Sequence, residues 1–552
     1  MPTQIVKLVL IAGSIITTCA YLLPDHSPPW LSFHSEAMAL AGVALVVMAL
    51  AVRNRPEPSI HLVTVAVGIV ALVPWVQLLI GITHFMGDAI LSWIYITAVA
   101  ISIHLGSWLA RDVNRCSLVS ACGLIAVAAT SSALIGVVQW FGLTDLTAPW
   151  IVFADSPGTR ASGNLAQANH FATLSLIGVA ALAWLYRERM VGSTLFLVAV
   201  GVLSAAVAMS QSRTGLVSSV VMGIAAIVAA QRVRIGLSHG QIIAWLLCVL
   251  VCWFLAPLMA EALMLGAGRE IAFADNSHRM LLWNEVLAGV LQRPLMGYGW
   301  NQTTVAHMAG AVPKLGDGVS TVTYSHNILL DMLAWVGIPL GVLLCVLLTV
   351  WAWTRLSSIK EPEAVFAALS LIPFAVHSLL EFPFAYAYFL IPAGVAVGII
   401  EANHRSARVL AASTLPKLVF FTWLVLAIGV AVEYRAIESD FRSMRFAAAK
   451  LTSASARVPT RTFTLNTHMD ALLQAATMEV RAGLSQNEIR VLQMAADRFA
   501  YSAIHLRLAS AYWLNAQPAE ALGAMRRYKA VFGERAYESI IARYPALRLN
   551  AE

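Results

Sequence analysis

Side chains with useful chemistry stand at the ends of apolar runs in this chain rather than inside them. In "TYSHNILLDMLAWVGIPLG" (323–341), Ser325, His326 and Asn327 precede a long apolar segment. "SQSRTG" (210–215) puts Arg213 between two apolar runs, and "NSHRMLLWNEVL" (276–287) puts Arg279 on an amphipathic stretch. "GNLAQANHFATL" (163–174) supplies Asn164, Gln167, Asn169 and His170. "HSLLEFPFAYAYFL" (377–390) supplies His377, Glu381, Tyr386 and Tyr388. Two converging arginines suit a diphosphate, because guanidinium forks match phosphate oxygens and keep their charge. A histidine beside them suits proton transfer from a hydroxyl near neutral pH. No HExxH, CxxC pair, P-loop, GxSxG or GxGxxG is placed to support a zincin, a nucleotide site or a serine hydrolase. No cluster of Asp and Glu suggests a divalent cation. The inventory points to a transfer reaction driven by arginine electrostatics, with no metal and no cofactor.

Each residue also has a plainer reading. Arg213 could snorkel to lipid headgroups, and Arg279 could be a solvated loop residue. His326 could cap a helix through Ser325, and Asn164 and Gln167 could be loop-to-helix caps. Tyr386 and Tyr388 could belong to an interfacial aromatic belt.

The elements that must position these groups are membrane spans. The 552 residues are 59% hydrophobic and 12% charged, with a mean hydropathy of +0.75. Soluble domains carry about twice that charged fraction, and about 20 apolar residues cross a bilayer as a helix. The expected fold is all-α, a polytopic helical membrane protein. Its thirteen spans lie near 7–23, 36–52, 61–81, 87–108, 117–141, 169–186, 192–209, 214–230, 241–260, 326–353, 363–380, 386–401 and 416–433. The first reads as a retained helix rather than a cleaved signal. Basic connectors follow every even span: Arg53/Arg55, Arg111/Arg115, Arg187/Arg189, Arg232/Arg234, Arg355/Lys360 and Arg405/Arg408. The positive-inside rule then puts the N-terminus in the cytoplasm. The 142–168 and 261–325 loops and residues 434–552 fall on the opposite face. The expected organisation is a transmembrane domain at 1–433, with its large loop at 261–325, and a helical C-terminal region at 434–552. Within that region, "IHLRLASAYWLNAQPAEALGAMRRYKAVFG" (504–533) reads as two antiparallel helices around Ala516–Pro518, similar to a tetratricopeptide repeat. All six cysteines fall in or beside apolar runs, which speaks against a disulfide framework. The net charge of +7 reflects helix orientation rather than nucleic-acid binding.

"SGNLAQANHFAT", "SQSRTG", "HRMLLWNEVLAGVLQRPLMGYGWNQ" and "YSHNILLDMLAWVGIPLG" resemble, in order, the motifs of bacterial O-oligosaccharyltransferases of the PglL type. Those enzymes belong to the superfamily of O-antigen ligases and polymerases. The resemblance covers roughly residues 150–400. It implies a donor oligosaccharide on undecaprenyl diphosphate, presented on the periplasmic side of the inner membrane. It implies an acceptor serine or threonine hydroxyl of an exported protein such as pilin, with inversion and without a metal or nucleotide. His326 matches the family histidine, and Arg213 and Arg279 match the two family arginines. Gln167 and one of Tyr386 or Tyr388 match the glutamine and tyrosine positions. Single displacement follows, with the arginines on the diphosphate and His326 on the attacking hydroxyl.

An O-antigen ligase, whose acceptor is a sugar of lipid A-core, would share this apparatus, as would a polymerase. A lipid-linked glycan transporter is the reading from another class. Transporters place charges in mid-membrane and use broken helices, whereas here the ionisable residues stand mostly at span ends.

Overall fold

A bilayer offers the backbone no water, so an apolar run of sufficient length closes its hydrogen bonds as a helix. The computed structural model describes residues 3–52, 60–111, 115–154, 160–265, 277–312, 322–404, 409–410, 414–449 and 461–548. The basic connectors at Arg53/Arg55 and Arg405/Arg408 lie outside them. The first spans are α1 (Thr3–Cys19), α2 (Phe33–Val52), α3 (Leu62–Val70) with α4 (Val73–Leu79), α5 (Met86–Ala110) and α6 (Cys116–Trp140). They continue as α7 (Ala168–Arg187), α8 (Ser193–Met209), α9 (Arg213–Ala230) and α10 (His239–Ala262). Two shorter helices, α11 (Ser277–Gln292) and α12 (Thr303–Ala311), occupy the long loop. Then come α13 (Ile328–Leu356), α14 (Pro362–Leu380), α15 (Ala387–Ala402) and α16 (Leu415–Ala448). The C-terminal helices are α17 (Thr467–Thr477), α18 (Gln486–Arg498), α19 (Ser502–Leu514), α20 (Pro518–Phe532) and α21 (Glu534–Ile541). Among the described residues, ten helices are long and apolar enough to cross a membrane, and α1, α8 and α15 are shorter apolar ones. They coincide with the thirteen expected spans, so the chain is a polytopic helical membrane protein. A two-residue bridge, Ile60–His61 against Val409–Leu410, is a small β addition to the all-α expectation.

The chain divides into two compact units. The first comprises residues 1–70, 95–272 and 350–424. Its centre is α7, buried continuously from Ala168 to Leu185 and packed against α6, α8, α9 and α14. Lipid gives helices no hydrophobic reason to associate, so close contact between small residues does that work. A Cβ on Gly178 would sit 2.4 Å from the Ala129 Cβ, which shows how near α6 approaches. Large side chains on α10, such as Leu247, Phe254 and Leu258, are left exposed, as expected of a helix facing lipid. Buried Glu401 is held by Arg355 (2.6 Å to Nε) and by the Trp351 indole (2.7 Å).

The second unit comprises residues 71–94, 273–349 and 425–552. Here α13 breaks at Gly337, whose φ of 78° belongs to a glycine, and not at the nearby Pro339. The break lets the segment after α11 lie alongside: Tyr298 and Gly299 donate to the Ala334 and Trp335 carbonyls, and Ile338 donates to Pro294. Helices α17–α20 form helical hairpins, with the turn between α19 and α20 where the sequence puts it. The first turn of α5 is tied to them. Gly87 N–H donates to Thr467, and Arg498 grips buried Asp88 with Nε at 3.1 Å and Nη2 at 3.0 Å. Removing one partner of such a buried pair costs about 3–5 kcal/mol.

Candidate active site

In the second unit, Ser325, His326 and Asn327 form a tight turn ahead of α13. Asn327 is the cap: its Oδ1 accepts from the N–H groups of Leu329 (3.0 Å) and Leu330 (3.3 Å). The expectation that His326 caps through Ser325 is therefore corrected. The Ser325 hydroxyl stays inside the turn, donating to the Asn327 carbonyl. His326 takes a left-handed φ of 61° and is half-buried. Four side chains hold the turn. Asp331 Oδ1 accepts from Ser325 N–H at 2.9 Å and from the Thr303 hydroxyl at 2.8 Å. The Trp335 indole donates to Thr303. The Trp283 indole donates to the Ser325 carbonyl at 2.8 Å.

Arg279 stands one turn before Trp283 on α11, hence on the same side of the helix, and Trp283 reaches the turn at Ser325. The buried pair Glu285–His307, at 2.8 Å, fastens α11 to α12.

In the first unit, Arg213 is the exposed first residue of α9. Ser212 caps that helix, accepting from Gly215 N–H at 3.0 Å, and donates to Asn169 Oδ1 at 2.6 Å. The same Asn169 oxygen accepts from Arg160 Nη2 at 2.9 Å, while Arg160 Nε donates to the Ser210 carbonyl. Arg160 is thus anchored beside the N-terminus of α9, an end whose backbone dipoles favour an anion.

Gln167 caps α7, accepting from His170 N–H at 2.8 Å. Asn164 is 1% exposed. Oδ1 accepts from Phe153 N–H; Nδ2 donates to the Leu22 and Ile151 carbonyls. It ties the loop together. Tyr388 is buried, and its hydroxyl pairs with His170 Nδ1 at 3.1 Å. Tyr386 is half-buried, the more exposed of the two tyrosines, with its ring 4.5 Å from that of His170. Buried Glu36 fixes this turn. Its carboxylate accepts from Ala387 N–H, between the two tyrosines, and from Tyr95, Trp30 and Ser32. Buried His377 pairs with Thr173 at 2.8 Å. The first turn of α7 links Gln167, Tyr388 and, through Asn169, Ser212, the residue before Arg213. Sequence reasoning missed Arg160, Asp331, Thr303 and Glu36. A carboxylate in the first turn of an apolar helix was the available signal for Asp331.

Comparison with known proteins finds three matching segments. Residues 161–186 match the protein glycosylation ligase family, and residues 198–345 match the O-antigen ligase family. Residues 365–544 match the C-terminal family of virulence factor membrane-bound polymerases. Asn164 and Gln167 fall in the first segment, Arg213, Arg279 and His326 in the second, and Tyr386 and Tyr388 in the third. The chain is 29% identical over 412 residues to a general O-oligosaccharyltransferase of Acinetobacter baylyi, covering 72% of this chain and 70% of that protein. It is 26% identical over 403 residues to a ComP-specific O-oligosaccharyltransferase of the same organism, covering 72% and 71%.

Proposed function

We propose that this chain, a glycosyltransferase of the bacterial O-oligosaccharyltransferase type, transfers an intact oligosaccharide from undecaprenyl diphosphate to protein hydroxyls. The acceptors are serines or threonines of exported proteins such as pilin, met on the periplasmic face of the inner membrane. The observation that carries this reading is the pinned turn at His326, inside the segment that matches O-antigen ligases. The contacts of Asp88 with Arg498 and of Gly87 with Thr467 support the topology. They need the N-terminal end of α5 and the C-terminal helices on one side of the membrane, as the alternation of basic connectors has them.

In the proposed reaction His326 accepts the proton of the attacking hydroxyl. That oxygen forms its bond to the anomeric carbon from the face opposite the diphosphate, so the configuration inverts. The bond from the anomeric carbon to the diphosphate oxygen breaks, and undecaprenyl diphosphate leaves with the electron pair. Arg213 and Arg279 hold the diphosphate and stabilise the charge that develops on it. Groups aimed at developing charge act mainly on the transition state, where rate is gained. Tyr386 orients the substrate, and Asn164 and Gln167 shape the loop around it.

The match to O-antigen ligases favours one second reading, in which the acceptor is a sugar of lipid A-core. Purified protein given lipid-linked oligosaccharide and pilin separates the two. A pilin mass shift that is lost in His326→Ala supports the proposal. Transfer to lipid A-core with pilin unmodified overturns it.

A further inference from the structure

The second unit encloses a cavity of about 510 Å³ that the proposed chemistry does not use. Its walls are the connector before α5, the end of α11, α12, and the C-terminal helices α18 and α20. The floor is the buried Asp88–Arg498 pair, with Gln302 hydrogen-bonded to Asp88. On another wall the Arg293 guanidinium lies over the Tyr298 ring at 5.0 Å. The Thr83 side chain, 7% exposed, lines the space, and its hydroxyl has no hydrogen-bond partner among the described residues.

The volume falls within the ~300–1,000 Å³ of small-ligand sites, but such sites are mostly apolar, whereas this one sets forks, amides and a hydroxyl beside apolar side chains such as Ile82, Val305 and Met308. An apolar ligand would strand those groups without partners. Asp88 and Asp497 pair with two of the three arginines, Arg498 and Arg527, so the cavity is not a strong anion trap. A polypeptide would want an open strand edge or apolar pockets for its side chains. The lining helices have already closed their backbones. Planar fork groups at several angles and one aromatic face suit a ligand dense in hydroxyls, with C–H faces to lay on the ring.

The position fits as well. Gln302 immediately precedes Thr303, whose hydroxyl donates to Asp331, the carboxylate that holds Ser325. The cavity therefore adjoins the network that pins His326.

We propose that this cavity is a carbohydrate subsite, holding the sugars of the transferred chain beyond the one whose bond breaks. This rests on the oligosaccharide-transfer reading above. Contacts to remote, non-reacting parts of a substrate can be turned into rate, so the site would make transfer depend on glycan length.

Gly523 gives the means to test it. It lines the cavity from α20, and a Cβ there meets nothing within 4 Å. Gly523→Trp would fill the space from a helix that loses a poor helix former. Donors carrying one to five sugars on the same lipid diphosphate would be compared by kcat/KM with a fixed acceptor peptide. In the wild-type chain the ratio of the longest to the shortest donor should be roughly tenfold or more, and in Gly523→Trp it should fall towards one. The ratio cancels any uniform loss of active protein. Equal ratios in the two proteins overturn the proposal. So does a raised acceptor KM at every donor length, which would make the occupant a peptide. A second arm needs no transfer. Free oligosaccharide, released by mild acid from the host's lipid-linked pool, should bind the full chain in detergent saturably, and Gly523→Trp should abolish this. Absence of saturable binding overturns the subsite. Saturable binding with no transfer to any acceptor keeps the subsite and overturns the reaction.

Discussion

Asp331, in the first turn of α13, accepts the backbone N–H of Ser325 at 2.9 Å, and so holds the residue immediately before His326. The same oxygen takes the Thr303 hydroxyl. Asp331→Ala leaves two buried donors without an acceptor, at about 1–3 kcal/mol each, and frees the turn. The expected result is a fall in kcat on the order of 10²-fold with little change in donor KM. Asp331→Asn keeps one acceptor oxygen and should lose much less. Steady-state kinetics of the pair check this. Equal losses would deny the carboxylate its positioning role.

The left-handed backbone at His326 separates fold from chemistry. A non-glycine residue there carries about 1–2 kcal/mol of strain. His326→Gly should match or exceed the wild-type thermal midpoint and still fail to transfer. His326→Ala should fail too, without the gain in stability. Partial recovery of His326→Gly by added imidazole would identify proton acceptance as the missing step.

The spans were legible because length and hydropathy alone decide what crosses a bilayer, and all thirteen reappear as helices. The stretches around Arg213, Arg279 and His326 were legible because polar side chains at the ends of apolar runs are conspicuous. Their supports were not. Asp331 meets Thr303 only after α12 folds back across 28 residues. Arg160 reads as an ordinary loop arginine until Asn169 ties it to Ser212. Pro339 draws the eye as the kink in α13, yet the break is at Gly337, where left-handed backbone is needed. Tyr386 and Tyr388 look alike in sequence, and only burial and the His170 partner tell them apart.

That difference predicts opposite phenotypes. Tyr388→Phe removes the hydroxyl paired with buried His170, at about 1–3 kcal/mol of stability, and should lower the thermal midpoint. Tyr386→Phe should raise KM or lower kcat. Melting curves and kinetics on the same preparations decide between the two assignments.

Charge and fork geometry can be distinguished at the arginines. Arg213→Gln and Arg279→Gln should each cost about 10²-fold in rate, on the order of 3 kcal/mol of transition-state stabilisation. The corresponding Lys variants keep the charge but lose the two-pronged donor, and should recover only part of it. Arg160→Gln should behave as a weaker copy of Arg213→Gln, because Asn169 and Ser212 join the two sites. Full activity in Arg160→Gln would make that arginine a loop brace only.

Acid should loosen the C-terminal helices before it harms the spans. Burial lowers the pKa of His468 to about 4; Arg498 adds to the effect and Asp88 opposes it. Burial, with Arg527, lowers His505 to about 4 as well. Both imidazoles are neutral in the fold, whereas an unfolded histidine titrates near 6.5. Between these values the unfolded chain binds protons that the folded chain refuses, so stability rises with pH across that window. It is fully present above about 6.5 and is lost as pH falls towards about 4. Limited proteolysis of the full chain should therefore cut the C-terminal helices faster at pH 5 than at pH 7. A His468→Leu, His505→Leu double variant should show a flatter dependence across the same range. If its slope equals that of the wild-type chain, the acid sensitivity belongs to the carboxylates instead.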